Sequence, residues 1–266
     1  MELQKNLSPD AESHAKAVVK SSGSSSSITS TNSRAKKERD FTDHLEAYLA
    51  RRDGVDKLLK IARYSSKVIL ASSVVSKDTS LYKRLKDFEA SVGVSRKAFR
   101  LGKFIQDYNA LKQISLDSTE GRLGILAYGG EGIYYFVEQF TWLIKAGLID
   151  KQYAAKLQKI SAWCEFIGYC GSISLKSMQI LALREKQYVL ASEGESSISS
   201  KDSAEISQLR EKQVLKLVSV IQDFADGLMA LSDILDGKGS ISSPLLLASA
   251  GLLSALISTH KNWSSS

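Results

Sequence analysis

Hydrophobic and polar positions follow a helical rather than a strand-like spacing over most of the chain. From about residue 41 onward apolar residues recur every three or four positions, whereas the two-residue alternation of a half-buried strand is hard to find. The chain contains two prolines, Pro9 and Pro244, so no locked φ angle or missing N–H interrupts a helix between them. The pattern predicts an all-α fold, a bundle of long amphipathic helices.

The first predicted helix spans about residues 41–75, with Leu45, Leu58 and Ile69 among its apolar positions. Short polar residues separate it from a second helical stretch over about residues 81–114. Further along, a charged amphipathic helix is predicted for residues 204–235. These helices belong to one predicted domain that covers residues 41–266.

Two polar segments are predicted to lie outside the helices. Residues 1–40 are rich in serine and contain too little apolar surface to offset the entropy of ordering, so they are predicted to form a disordered tail. Residues 193–203 are also polar and serine-rich, and they are predicted to form a linker.

A closing stretch, residues 239–259, contains no charged residue. It is long enough to cross a bilayer core, for which about 20 residues are needed, and we predict a transmembrane helix there. The alternative is a buried core helix of a soluble bundle. Residues 125–144 and 160–183 are also apolar but contain charges. The sequence therefore predicts one or two transmembrane helices and leaves the topology open.

The segment at residues 81–108 combines an apolar stripe with many cations, as in helices that lie in the headgroup region of a membrane. Leu81, Leu85, Phe88 and Val92 fall on one helical face. Each cation near an anionic surface adds about 1 kcal/mol to binding. The alternative is a solvated basic face packed on a neighbouring helix. The predicted membrane-binding residues are Leu81, Lys83, Arg84, Leu85, Lys86, Phe88, Val92, Arg96, Lys97, Phe99, Arg100 and Lys103.

The composition carries a formal net charge of +7, which suits an anionic partner, either lipid or nucleic acid. No motif that reads nucleic acid is recognisable, so no nucleic-acid partner is expected. His14, His44 and His260 are scattered and form no metal-ligand spacing or catalytic triad. We expect no enzyme activity, metal or cofactor. The glycines at residues 121–132 lack the ending of a phosphate loop and predict close helix packing or a bend.

Three segments resemble the signatures of the peroxin-eleven family of peroxisomal membrane proteins, in the order in which that family carries them. They read RDGVDKLLKIARY at residues 52–64, SRKAFRLGKF at residues 95–104, and IYYFVEQFTWL at residues 133–143. The family's membrane-remodelling helix lies between the first two signatures and runs into the second, which corresponds to residues 81–103 here. The resemblance covers about residues 41–263 and points in particular to the plant branch of the family.

The resemblance implies an integral protein of the peroxisomal membrane with both tails in the cytosol. It also implies self-association, possible association with paralogues, elongation of the membrane before division and recruitment of peroxisomal fission factors. The lysine-rich ending of some family members is missing from this chain. Two tails on one side require an even number of spans.

Two alternative functions stay open at this point. In the first, charged residues of the apolar segments line a solute pore through the peroxisomal membrane; the candidates are Glu131, Glu138, Glu165 and Lys176. In the second, the chain is a soluble basic helical protein that binds nucleic acid.

Overall fold

The computed structural model describes residues 40–193 and 200–265. These residues form eight α-helices and no strand, which confirms the all-α prediction. The helices are α1 Phe41–Leu49, α2 Arg52–Ala71, α3 Ser80–Phe99, α4 Phe104–Leu111, α5 Thr119–Lys145, α6 Ala154–Glu193, α7 Ser200–Ile234 and α8 Pro244–Ser264.

Side chains with short polar groups fix where several helices begin. The Asp40 carboxylate accepts a hydrogen bond from the backbone N–H of Phe41 at 2.8 Å. The Thr79 hydroxyl caps α3, and the Ser118 hydroxyl caps α5 by accepting from the N–H of Gly121 at 3.0 Å. Such caps satisfy backbone donors that a helix leaves unpaired in its first turn. The α8 helix begins at Pro244, whose fixed φ suits the first helical position.

Six of the helices form a closed ring of neighbours. Going round the ring, α2 packs against α8, α8 against α7, α7 against α6, α6 against α5, α5 against α3, and α3 against α2. The short helices α1 and α4 pack on α2 and α5 respectively. Residues that are distant in sequence, on α2, α3 and α5, are thereby brought to one side of the bundle.

The first predicted helix is broken in two. The chain turns at Ala50 and Arg51, between α1 and α2. The turn is so tight that a Cβ atom on Gly54 would lie 2.0 Å from the carbonyl oxygen of Tyr48. Only glycine permits so close an approach. The sequence analysis predicted one helix because the apolar spacing continues across the turn.

The predicted lipid-binding helix at residues 81–108 is also two helices. The α3 helix ends at Phe99, and α4 begins at Phe104. Between them Gly102 has a φ of +75°, a left-handed conformation that glycine adopts at little cost. The helix is therefore interrupted close to the end of the basic segment.

The boundaries of the two polar segments are only partly described. The predicted tail lies outside the described residues except for Asp40. Of the predicted linker at residues 193–203, Glu193 is the last residue of α6 and residues 200–203 belong to α7. The prediction was therefore too long at both ends, and residues 194–199 lie outside the described part of the chain. The α7 helix agrees with the prediction for residues 204–235 apart from its earlier start.

The described helices can be compared with the predicted transmembrane segments. Among the described helices, one is long and apolar enough to cross a membrane by length and composition, and it runs from Lys151 to Ser192. It contains residues 160–183, which the sequence offered as a second span. Of residues 239–259, the first five precede the helix, and α8 continues into polar residues as far as Ser264. By length and composition α6 is therefore a candidate span, and the span at residues 239–259 stays a prediction.

Candidate membrane interface

The first half of α3 presents both apolar and cationic side chains to the surroundings. Leu81 is 53% exposed and Phe88 is 49% exposed. Lys83, Arg84 and Lys86 are exposed beside them, and Leu85 is partly buried. This half of the helix therefore has the composition and the exposure that binding to an anionic membrane surface requires.

The second half of α3 turns toward the bundle. Val92 and Arg96 are buried, and Lys97, Arg100 and Lys103 are partly buried, whereas Phe99 stays exposed. The interpretation of residues 81–103 as one lipid-facing surface is thus wrong for these inward-facing side chains. Their cationic groups form ion pairs and hydrogen bonds with carboxylates and hydroxyls of α2 and α5.

Asp56 on α2 is the first of these partners. Its carboxylate accepts a hydrogen bond from Nε of Arg96 at 2.9 Å and lies 3.3 Å from Nε of Arg100. The residue is 1% exposed. Burial alone would raise the pKa of Asp56, but the guanidinium groups of Arg100 and Arg96 hold this pKa well below its usual range. The carboxylate is therefore charged, and α2 and α3 are joined by a buried ion pair.

Glu138 on α5 is the second partner. Lys97 donates to Oε1 of Glu138 at 2.8 Å, and Arg100 lies 3.5 Å from Oε2. Tyr134 donates its hydroxyl to the same carboxylate at 3.2 Å. Lys103 donates to the hydroxyl of Tyr135 at 2.8 Å. Through Arg100, which contacts both carboxylates, α2, α3 and α5 share one network.

Two further buried ion pairs join the other helices. Lys60 of α2 donates to Asp226 of α7 at 2.9 Å, and both side chains bond to the Ser254 hydroxyl of α8 at 2.6 Å. Lys176 of α6 donates to Asp223 of α7, which also accepts from Ser172 at 2.8 Å. These charges are paired and hydrogen-bonded, as charges removed from water must be.

Bulky apolar side chains, in contrast, cover the outside of the same helices. On α8 the buried residues are small, namely Ala248, Gly251, Ser254, Ala255 and Ser258, while leucines face outward. On α5, α6 and α7 many large apolar side chains also face outward, although some, such as Tyr135 and Leu209, are buried. The exposed large side chains on these helices include Ile133, Phe136, Phe140, Trp163, Ile167, Leu181, Leu217, Ile221, Phe224, Leu246, Leu253 and Leu256. Apolar surface of this extent is characteristic of contact with a membrane or a partner.

The candidate span fits this arrangement. Only 17% of the most apolar window of Lys151–Ser192 is buried within the protein, so its apolar surface is mostly available to lipid. A core helix of a soluble protein would be mostly buried.

Glycines bring α5 and α6 into direct backbone contact, as predicted for residues 121–132. A Cβ atom on Gly130 would lie 2.5 Å from the backbone nitrogen of Gly168. A Cβ on Gly171 would lie 2.6 Å from the nitrogen of Ala127. Small residues at such crossings let helices associate through van der Waals contact, which is how membrane helices pack.

Three of the four residues proposed for a pore make separate contacts. Glu138 and Lys176 are bound in the separate ion pairs described above. Glu165 accepts a hydrogen bond from Tyr169, one turn along α6. A cleft between α6 and α7 and a second one lined by Arg51 and Arg52 contain none of the four. The structure therefore provides no specific support for the pore hypothesis.

The sequence analysis missed the acidic partners of the basic segment. It counted the cations of residues 81–103 as a surface charge, although Asp56 and Glu138 neutralise part of it. One signal was present: Asp56, Lys60 and Tyr64 lie four residues apart and share one face of α2. That face is the buried one.

Comparison with known proteins confirms the resemblance. The family model described as Peroxisomal biogenesis factor 11 matches residues 42–263. Peroxisomal membrane protein 11A of Arabidopsis thaliana is 55% identical over 233 residues, which are 85% of this chain and 94% of that protein. Peroxisomal membrane protein 11-3 of Oryza sativa subsp. japonica is 52% identical, over 85% of this chain and 90% of that protein. Peroxisomal membrane protein 11B of Arabidopsis thaliana is 33% identical, with coverage of 85% and 99%. No solved structure matches the chain.

Proposed function

The chain belongs to the Peroxisomal biogenesis factor 11 family and is a protein of the peroxisomal membrane, and from this premise we propose that it elongates that membrane before fission. In the proposal, the exposed first half of α3 inserts into the cytosolic leaflet as a wedge. The observation that supports this role most directly is the exposure of Leu81 and Phe88 beside three exposed cations.

The free energy of membrane binding expected for a single copy of this wedge is small. Three cations near an anionic surface contribute about 3 kcal/mol, at about 1 kcal/mol each. Complete burial of a leucine or phenylalanine adds about 1.5–3 kcal/mol, and both side chains are already half-buried. Binding of this strength is reversible. A sustained change in curvature therefore needs many copies close together, which is why self-association, with this chain or with paralogues, is part of the proposal.

The ion pairs of Arg96, Lys97 and Arg100 attach the proposed wedge to the rest of the bundle. Because they tie the second half of α3 to α2 and α5, the first half is held at a defined position relative to the candidate span α6. Insertion can then displace lipid in one leaflet without the helix detaching from the bundle. Recruitment of fission factors, and the placement of both tails in the cytosol, belong to the same proposal.

The test uses the full chain reconstituted into vesicles that contain anionic lipid. We expect tubules by electron microscopy with the natural chain and spherical vesicles with the double variant Leu81→Glu/Phe88→Glu. The matched control is Leu116→Glu, which places the same charge at a leucine that is 65% exposed between α4 and α5. That control is expected to leave tubulation unchanged.

Val92 is not a suitable site for this test, because it is buried against the bundle and a glutamate there would act on folding. Tubules formed equally by the natural chain and by the double variant would refute the wedge. Conductance across planar bilayers in the absence of tubulation would favour the pore hypothesis instead.

A further inference from the structure

A basic cleft lies at the end of the bundle where the α1–α2 turn, the α3–α4 turn and the end of α8 meet. Its volume is about 250 Å³, and it is lined by Arg51, Arg52, Asp53, Phe99, Lys103, Gln106 and Asn262. It is separate from the exposed first half of α3, and two of its three cations lie on neither α3 nor the α3–α4 turn.

The cations of the cleft have no carboxylate partner among the described residues. Arg51 donates to the carbonyl oxygen of Ser265 at 3.0 Å, and Arg52 donates to that of Leu101 at 2.7 Å. Lys103 donates to the Tyr135 hydroxyl. These neutral acceptors orient the three side chains without neutralising them, although Asp107 lies close enough to Lys103 to interact with its charge. Asp53 is the one carboxylate in the lining, so the cleft has an excess of positive charge.

The α2 helix begins at this cleft. Its N-cap residue, Arg51, makes no capping hydrogen bond through its side chain. The positive end of the helix dipole lies beside the arginines, partly offset by Asp53 in the first turn, and the combination favours anions.

A further lysine, Lys57, lies beneath the cleft, 3.7 Å from the carboxylate of Asp56. Lys57 follows on the next turn of α2, and its pKa is lowered to about 7 by burial and by the neighbouring charge of Lys103. A bound anion would relieve this repulsion. The side chain of Lys57 is 14% exposed, so it lies close to the surface without being freely solvated.

We propose that this cleft binds a phosphate monoester, with Arg51 and Arg52 as the principal ligands and Lys103 as the third cation. Planar guanidinium groups bind phosphate oxygens in a bidentate manner, and two arginines beside a lysine match a doubly charged phosphate. Phosphate monoesters reach a peroxisomal membrane protein from two sources, the headgroup of an anionic lipid or a soluble phosphate compound. The site goes beyond the proposed wedge, because the two arginines do not belong to α3.

The experiment measures binding by isothermal titration calorimetry to the full chain in a non-ionic detergent and a phosphate-free buffer. The probes are inorganic phosphate, short-chain phosphatidic acid and short-chain phosphatidylcholine. We expect the first two to bind, the third not to bind, and Arg51→Gln/Arg52→Gln to weaken binding by about tenfold or more, since hydrogen bonds to charged groups are lost. Tighter binding of phosphatidic acid than of phosphate identifies a lipid site, and equal binding identifies a site for soluble phosphate.

Two variants control for changes in folding. Arg51→Lys/Arg52→Lys retains both charges and is expected to retain most of the binding. Arg122→Gln removes an exposed arginine of α5 whose hydrogen bond goes to Thr119, and it is expected to have no effect. The proposal is overturned if neither phosphate probe binds, or if the glutamine pair binds as well as the natural chain. Equal loss in the lysine and glutamine pairs would show a structural role for the arginines and would also overturn it. Tubulation is measured separately, so failure of this site leaves the wedge proposal standing.

Discussion

Replacement of Asp56 by asparagine tests the internal ion-pair network. The carboxylate is almost completely buried and lies 2.9 Å and 3.3 Å from the Nε atoms of two arginines. In Asp56→Asn the shape is kept, but Arg96 loses the carboxylate it pairs with and Arg100 keeps only Glu138. Removal of one partner from a buried ion pair costs about 3–5 kcal/mol, because a charge is left without compensation. We expect a loss of stability in that range.

The assay is thermal unfolding of the detergent-solubilised full chain, followed by circular dichroism. For a chain of this size 1 kcal/mol corresponds to about 2–4 °C, so the expected fall in Tm is roughly 6–20 °C. Asp43→Asn is the matched control, since Asp43 is exposed on α1 and its change is expected to stay within about 0.5 kcal/mol. A fall no larger for Asp56→Asn than for this control would refute the network. The double variant Asp56→Asn/Arg96→Met should lose less than the sum of the single losses.

Other predictions concern helix packing and pH. Gly130→Ala places a Cβ 2.5 Å from the backbone nitrogen of Gly168 and should lower the free energy of unfolding by about 1–3 kcal/mol in the same assay. The control Gly129→Ala, with open space around its Cβ, should be neutral or slightly stabilising. Equal effects of the two variants would contradict the α5–α6 contact. Burial and the charge of Glu131 raise the pKa of Asp107 to about 7 from 3.8. Because the pKa is higher in the folded state than in the unfolded chain, the protonated group stabilises the fold. This stabilisation is complete below pH 3.8 and is lost as the pH rises through 7. Asp107→Asn should therefore gain more stability over the natural chain at pH 8 than at pH 5; an equal difference at both pH values would argue against this pKa.

The helical content could be predicted from the sequence because helical spacing is a local property. The helix breaks at Arg51 and Gly102 could not be predicted from the sequence. At both places the apolar period continues across the turn, and the break depends on contacts with distant residues or on one glycine conformation. The cluster of glycines on α5 predicts that this helix packs closely against another one. The sequence pattern did not identify Gly168 and Gly171 of α6 as the residues it would contact.

The exposure of the predicted membrane-binding segment could be foreseen only in its first half. The exposed cations and apolar residues there were identified from spacing and charge. The pairing of Arg96 and Arg100 with Asp56 joins residues some forty positions apart, and such pairing depends on tertiary contacts that a one-dimensional pattern does not contain. The clearest missing information was which face of α2 points inward.

The α2 helix shows why the direction of a helix face is ambiguous in this protein. Its buried face carries Asp56, Lys60 and Tyr64, while Leu58 and Ile69 are each 39% exposed. A soluble bundle would bury the leucine and expose the charges, yet the periodicity is the same in either orientation. In contact with lipid the reversed orientation is favourable, because hydrocarbon accepts the apolar side chains and the charges find partners only inside the protein.

The internal ion pairs limit how the basic segment can act on a membrane. Arg96, Lys97 and Arg100 are needed to compensate Asp56 and Glu138, so they cannot also neutralise lipid headgroups without leaving those carboxylates buried and unpaired. Lys103 donates a hydrogen bond to the Tyr135 hydroxyl and lines the basic cleft. In the proposed wedge, three cations rather than seven are left to attract an anionic membrane, about 3 kcal/mol rather than about 7, and the exposed Asp87 on the same helix lowers this further. With the smaller electrostatic contribution, insertion depends chiefly on the burial of Leu81 and Phe88 and on the number of copies that act together.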